Sequence, residues 1–297
     1  MKTLLALMFG VFSILITGNQ AFASAGFSER EYATGDDPSI VVNRPVNIQG
    51  LTGLLITNSA YTQSKGGMVI GFSATAENSS KPNFSIIQGI ATVTGGVTDR
   101  IELGVKTKVI ATNIGSSDTR RTGAGDADLL FKWRISSEGE TLPAMAVGLA
   151  YTLPTGESTK GLSEVKREGL RLMVIGTSEK EMPGDYVFGL YFEGQIVFID
   201  QLRRPADTLY ADKYGVLNAG VLFPLVDDRR LQAIVEYNQV VKKDTVTLYN
   251  ENSTAVMPGL RYVTPNLNIS LGVQFLRKDQ TDTENDNRYV GTVSYKF

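Results

Sequence analysis

The chain has 297 residues, with 29 Lys and Arg against 31 Asp and Glu, and neither cysteine nor histidine. Without those two residue types there are no disulfides, thiolate metal sites, cysteine nucleophiles, Ser-His-Asp triads or imidazole bases. A formal net charge of -2 also lacks the clustered basic surface on which nonspecific nucleic-acid binding runs.

Residues 1–25 read as a secretory signal peptide. Lys2 supplies the positive start, Leu4 to Ile16 the apolar stretch, and Ala21-Phe22-Ala23 or Ala23-Ser24-Ala25 the small-x-small cleavage site. With no cysteine, lipoprotein processing is excluded. No long apolar stretch follows residue 25, which excludes a helical membrane protein. An exported chain of this kind is either soluble or a β-barrel.

Residues 26–66 stand apart. Ser28 to Asn47 is mostly polar, with Pro38 and Pro45, and Leu51 to Ile56 is apolar enough for a short strand. A periplasmic arm, a lumenal plug and an unstructured lead-in all fit this segment.

From about residue 67 onward the dominant period is two, the period of a strand with two unlike faces. Ile101, Leu103, Val105 and Val109 alternate with Glu102, Gly104, Lys106 and Lys108. Leu129, Phe131, Trp133 and Ile135 alternate with Asp128, Lys132 and Arg134. Similar faces run through 144–153, 186–198, 217–223, 231–238 and 267–275, with weaker segments at 67–77, 84–95, 167–176 and 254–263. The last segment puts Tyr289, Gly291, Val293, Tyr295 and Phe297 on one face, Thr292, Ser294 and Lys296 on the other, and Val290 out of phase. About twelve strands result.

Short and long connections alternate along most of the chain, as in outer-membrane barrels with short periplasmic turns and longer outer loops. Gly96-Val97-Thr98-Asp99, Asp227-Asp228 and Pro265-Asn266 carry turn chemistry. With Phe297 at the periplasmic end, Trp133, Tyr186, Phe223, Tyr262 and Tyr295 fall near that end; Tyr151, Phe275 and Tyr289 fall toward the other, and Tyr237 past mid-strand. Two aromatic bands are what interfacial anchoring requires. The expected fold is therefore all-β: a transmembrane antiparallel up-and-down barrel over 67–297, in a bacterial outer membrane, touching lipid and lipopolysaccharide. A soluble periplasmic sandwich would alternate too. It is disfavoured by strands of this length and by polar faces rich in Gly, Ala and Ser.

Three stretches resemble a known family. Gly96 to Gly104 resembles a "G-l-T-d-r-l-E-l-g" hairpin, Gly125-Asp126-Ala127-Asp128-Leu129 with Lys132 a "G-D-l-x-l-x-x-K" strand, and Leu142 to Glu157 an "l-P-a…l-P-T-G" strand. The family is the outer-membrane barrels named for the putative MetA pathway of phenol degradation. The resemblance covers roughly 96–157 and implies passage of small hydrophobic or aromatic solutes. The terminal strand, with Tyr295 and Phe297, resembles the signal read by the outer-membrane insertion machinery, although Thr292 stands where that signal has glycine. Gly50 to Ile56 resembles the opening of barrels linked to exopolysaccharide export.

The charges on the inward faces are the candidate selectivity residues: Glu102, Lys106, Lys108, Asp128, Lys132, Arg134, Glu236 and Arg261. One register sets Glu102 opposite Arg134 and Lys108 opposite Asp128, each an opposite-charge pair. Glu236 and Arg261 are expected to face each other similarly across the loop 243–253. Such charges either form a constriction that selects solutes or a salt-bridge ladder that fills the lumen. Turn carboxylates such as Asp227-Asp228 read as turn formers rather than acids and bases, and the acidic loop around Asp279 to Asp286 as solvated. No enzyme activity, metal or cofactor is expected. The function implied is a channel for small solutes, or a non-transporting barrel with a blocked lumen.

Overall fold

The structure, a computed structural model, describes residues 43–78, 85–113, 120–139, 142–157, 162, 168–182, 186–201, 210–226, 229–243, 250–278 and 285–297. The proposed signal peptide, Asp227-Asp228 and most of the acidic run 279–286 lie outside the described residues.

The described strands, in chain order, are β1 (Met68–Asn78), β2 (Ser85–Thr98), β3 (Ile101–Asn113), β4 (Arg120–Ala124), β5 (Ala127–Ser136), β6 (Ala144–Leu153), β7 (Gly169–Met182), β8 (Tyr186–Gln201), β9 (Tyr210–Pro224), β10 (Leu231–Lys243), β11 (Asn250–Val263), β12 (Leu267–Lys278) and β13 (Asn285–Lys296). Each pairs antiparallel with its neighbours, β13 returns to β1, and β2 with β3 completes the ring. β4 and β5 both pair with β3 and share one place in the wall, so the barrel is twelve strands round with one extra segment. The interruption falls at Gly125-Asp126, where the Gly125 N–H still donates to the Lys108 carbonyl at 2.8 Å. The alternating strand expected around Asp128 to Ile135 is β5, and β4 is an extra segment that the alternation did not mark.

Alternation holds through the wall. Leu103, Val105 and Val109 are exposed on the outer face, while Glu102, Lys106 and Lys108 between them are buried. Trp133, Phe223, Tyr262, Tyr295 and Phe297 are exposed near the short-turn end, and Phe275, Tyr289 and Tyr237 toward the other. The side chain of Tyr186 lies outside those described. In β2, apolar in both phases, Ile87 and Val93 are exposed and Ile90 is buried with Thr92 and Thr94. A closed wall with an apolar exterior leaves no backbone edge to satisfy in hydrocarbon, which is the condition for spanning a membrane with strands. No helix among the described residues is long and apolar enough to cross one.

The facing has a direct test. Val105 is 49% exposed on the lipid side. Val105→Arg should destabilise the barrel by about 2–4 kcal/mol, the cost of a cation near the bilayer midplane. Refolding into lipid vesicles under urea measures it; a cost under about 0.5 kcal/mol would mean that Val105 does not meet hydrocarbon.

The register between β3 and β5 differs from expectation by two residues. Glu102 stands opposite Lys132 rather than Arg134, and Lys106 rather than Lys108 stands opposite Asp128. A slip of two keeps every side chain on its own face. The observed register joins two opposite-charge pairs, as the expected one would, so charge matching alone does not separate them. Glu236 and Arg261 are not opposite either: Gln232 faces Arg261 and Glu236 faces Met257.

Candidate functional site

Residues 43–63 lie inside the barrel, and the exposed Ser64, Lys65 and Gly66 lead out beside the short turn, where the Gly66 N–H donates to the Gly96 carbonyl at 2.8 Å. Leu51 to Ile56 is not a strand. The stretch from Pro45 to Ser59 is a compact doubled turn held by the bridges Val46–Thr52 and Gly53–Asn58 and by the N–H of Gly53 to the Pro45 carbonyl at 2.9 Å. Asn47 knits it together. Its amide nitrogen donates to the Ile56 carbonyl at 3.1 Å and to Asn58 Oδ1 at 2.9 Å, and its Oδ1 accepts the Gln49 N–H at 2.9 Å. Gly50 turns the chain at φ 90°, a left-handed conformation open to glycine.

Three leucines of this segment enter three apolar clusters on different parts of the wall. Leu51 packs with Leu130, Met173, Ile175 and small wall residues including Ala146. Leu54 packs with Tyr191, Leu222 and Ile234. Leu55, with Ile56, packs against Met257 and Val290, which accounts for the out-of-phase valine in the last strand. Wall glycines supply the room. A Cβ on Gly220 would lie 2.4 Å from Leu54 Cδ1, and one on Gly272 would lie 2.8 Å from Leu55 Cδ1. The small residues on the polar faces therefore receive this segment as well as curving the wall.

The polar contacts put wall charges against the segment's own backbone. Glu236 on β10 accepts the N–H groups of Leu55, Ile56 and Thr57, at 3.1, 3.1 and 2.6 Å. Three successive amides converging on one carboxylate form an anion nest. Glu102 on β3 accepts the N–H of Thr52 at 3.0 Å and of Gln63 at 2.9 Å, and the Thr52 hydroxyl. Lys132 makes an ion pair with Glu102 at 3.0 Å and donates to the Ser59 carbonyl at 3.1 Å. Arg261 donates to the Gly53 carbonyl at 3.0 Å and to Ser270 Oγ at 3.2 Å. All four side chains are essentially excluded from solvent. A charge so placed is tolerable only when paired and hydrogen-bonded.

Higher in the lumen, Lys106 and Asp128 pair at 2.5 Å, and Lys108 is also buried. Arg134 donates to the Asp99 carbonyl at 2.8 Å near the short turn. All eight expected lumenal residues are inward and buried. Glu102, Lys132, Glu236 and Arg261 hydrogen-bond to the segment, the Arg134 guanidinium lies 5.8 Å over the Tyr61 ring, and Lys106 and Asp128 bond to each other. Tyr295 and Phe297 face outward with rings in edge contact, centroids 4.9 Å apart.

Several residues of the site were not singled out from sequence. Glu193 accepts the Asn58 backbone N–H at 3.1 Å and its side-chain amide at 2.6 Å. Thr177 Oγ1 accepts the Ala60 N–H at 2.8 Å. Near the short-turn end Glu179 accepts from Arg44 at 2.9 Å and from Tyr191 at 2.7 Å, and the Arg44 guanidinium lies 3.6 Å over the Tyr61 ring. Tyr61 in turn donates to Glu138 at 2.7 Å. Burial, then the bond to Glu138 and the charge of Glu179, pushes the Tyr61 phenol far above its ordinary range. The available signal was modest: Glu193 is an acid on the inward face of β8, next to Gln195. Among the described residues no cluster of acids has the makings of a metal site.

No protein-family profile matches the sequence, and no curated protein matches it. Solved structures do match its fold. An outer membrane channel from Pseudomonas putida F1 is 13% identical over 80% of this chain and 98% of its own, with a TM-score of 0.51. The NanC porin is 13% identical over 76% of this chain and 100% of its own, at 0.50. The β-domain of the Bordetella autotransporter Brka is 11% identical over 79% of this chain and 100% of its own, at 0.51. These likenesses speak for the fold. With the closed wall and its apolar exterior, they make the chain a β-barrel of the outer-membrane type.

Proposed function

We propose that the protein is an outer-membrane channel for small solutes, apolar or aromatic ones among them, held shut by residues 43–66. The observation that carries this reading is the chemistry of the sockets in which the segment sits. Glu102, Lys132, Glu193, Glu236 and Arg261 bond to it, and all are buried. A lumen filled for stability alone would do as well with apolar packing, because buried charges add little net stability. Charged sockets behave differently when the segment leaves. Water enters and solvates them, and the result is a wet, charged passage instead of an apolar void. The glycines facing Leu54 and Leu55 then widen that passage. Twelve strands fall between barrels that side chains fill and barrels that hold open aqueous channels. A mobile filling resolves that intermediate width.

The second reading is a non-transporting barrel whose lumen is permanently filled, and the three apolar clusters around Leu51, Leu54 and Leu55 favour it. Conductance in planar bilayers separates the two. The full-length chain should show a mostly closed state with brief openings, and a chain lacking residues 43–66 should conduct steadily. Absence of conductance in both, with both folded by gel-shift on boiling, would establish the filled scaffold. In this reading the terminal Tyr295 and Phe297, exposed together, are the contact for the insertion machinery.

A further inference from the structure

The ion pairs of the lumen leave two carboxylates out. Lys132 goes to Glu102, Lys106 to Asp128 and Arg44 to Glu179, and among the described residues no lysine or arginine makes an ion pair with Glu236 or Glu193. Uncharged N–H donors meet these two charges instead. Glu236 takes the amides of Leu55, Ile56 and Thr57. Glu193 takes the backbone and side-chain amides of Asn58, and the side-chain amide of Asn218 at 2.9 Å. When the segment leaves, Glu236 loses every donor seen among the described contacts, and Glu193 keeps Asn218.

The two acids flank one hollow. Glu236 stands opposite Gly220 on β9, and Glu193 on β8 stands opposite Asn218, two residues along β9 on the same face. Gly220 presents no side chain there. Leu54 Cδ1 stands where its Cβ would go, and Glu236 Cγ is 3.3 Å from the same point. Tyr191, Leu222 and Ile234 line the rest of the hollow. A carboxylate thus sits at the rim of an apolar, partly aromatic pocket. The segment fills that pocket with a leucine and caps the carboxylate with three converging N–H groups. An alkylammonium carries three N–H donors on one nitrogen, together with a full positive charge. It matches the donors that Glu236 loses and supplies the charge that amides lack, and charge-assisted bonds are about twice as strong as neutral ones.

We propose that Glu236 and the Gly220 hollow form a binding site for a primary amine bearing one apolar or aromatic group, which competes with Leu54 to Thr57 for the same place. The proposal rests on the passage reading above and names its solute class. The ammonium takes Glu236, the apolar group takes the space of Leu54 against Tyr191, Leu222 and Ile234, and Glu193 adds a second negative charge across the hollow. A carboxylate solute of the same shape sets like charge against both acids, and an alcohol offers one donor where three are lost. Because amine and segment exclude each other, binding the amine unseats the segment.

Three probes test this on the full-length chain at equal ionic strength: 2-phenylethylammonium, methylammonium and phenylacetate. Hydrogen exchange at residues 55–57 reads the seat, and conductance in planar bilayers reads the passage. 2-Phenylethylammonium should accelerate exchange and raise open probability at concentrations about tenfold or more below those at which either other probe acts. Its binding, followed by isothermal titration calorimetry, should weaken about tenfold or more in Glu236→Gln. The sign of that change is diagnostic. The segment is already loosened in this variant, so a ligand that merely displaced the segment would bind more tightly to it. The gel shift on boiling checks that the variant is folded. Methylammonium or phenylacetate acting as well as 2-phenylethylammonium, or Glu236→Gln binding the amine as tightly as the original chain, overturns the site while leaving conduction in place. Exchange that does not respond to the amine overturns it too, whatever the conductance does. Exchange that accelerates while no conductance appears keeps the site and removes the passage reading.

Discussion

Glu102→Ala should be the most damaging single truncation in the lumen, costing about 3–5 kcal/mol of folding free energy. The carboxylate serves four donors at once: the N–H groups of Thr52 and Gln63, the Thr52 hydroxyl and the Lys132 ammonium. Neither Glu102 nor Lys132 has any solvent exposure. Truncation leaves the ammonium with carbonyl oxygens and no counter-charge, the situation in which breaking a buried pair costs most. Removing both charges together, as Glu102→Gln with Lys132→Met, should recover much of the loss. A double-mutant cycle in urea-dependent refolding therefore gives a coupling of about 2 kcal/mol or more between Glu102 and Lys132. It should exceed the coupling of Glu102 to Arg134. The reverse order would restore the register with Glu102 opposite Arg134.

The second large effect is on opening. Glu236→Ala removes the only carboxylate seen on the amides of Leu55, Ile56 and Thr57 among the described contacts. Each buried N–H left without its acceptor costs about 1–3 kcal/mol, and water entering the vacated space offsets part of that. The seat should weaken by about 3–6 kcal/mol in all, which is a factor of about 10²–10⁴ in the seating equilibrium. Glu236→Gln should behave nearly as badly, because its NH₂ group turns a donor toward donors. Two readouts follow the seat itself. Hydrogen exchange at residues 55–57 should accelerate, and open probability in planar bilayers should rise. Unchanged exchange would show that this carboxylate does not hold the segment, whatever the conductance does.

The two predictions address different ends of the same device. Glu102 and Lys132 sit one strand apart in the wall, and their loss weakens the wall and the seat together. Glu236 lies in mid-strand on β10, paired on both sides by strands that do not depend on it. Its loss should spare the wall and free the segment. Comparing fold stability with open probability for the two variants thus separates the barrel from its filling.

The barrel itself was legible in the amino-acid sequence by itself. Period-two alternation is a local property, since successive side chains on a strand must point to opposite faces, and lipid on one side demands apolar residues there. Leu103 and Val105 outward with Glu102 and Lys106 inward follow from spacing alone, whereas the turn expected at 96–99 lies at Asp99–Arg100, with Gly96 to Thr98 still in β2. The exposed aromatic bands and the inward placement of all eight lumenal charges follow in the same way. What alternation leaves undetermined is any shift by two. Glu102, Lys106 and Lys108 on β3 meet Asp128, Lys132 and Arg134 on β5 with charge complementarity in either of two registers, and both keep the faces intact. Only the tertiary structure decides between them, because the choice is made by distant partners: Thr52 and Gln63 reach Glu102, and Thr52 and Ser59 reach Lys132. The segment 43–66 was illegible for the same physical reason. Its backbone bonds are divided between its own doubled turn and carboxylates on β3, β8 and β10, with no regular strand ladder, so it has no period to read. An apolar run from Leu51 to Ile56 looks like a strand in sequence, yet the N–H groups of Thr52, Leu55 and Ile56 are taken by Glu102 and Glu236, which come near them only once the barrel has closed.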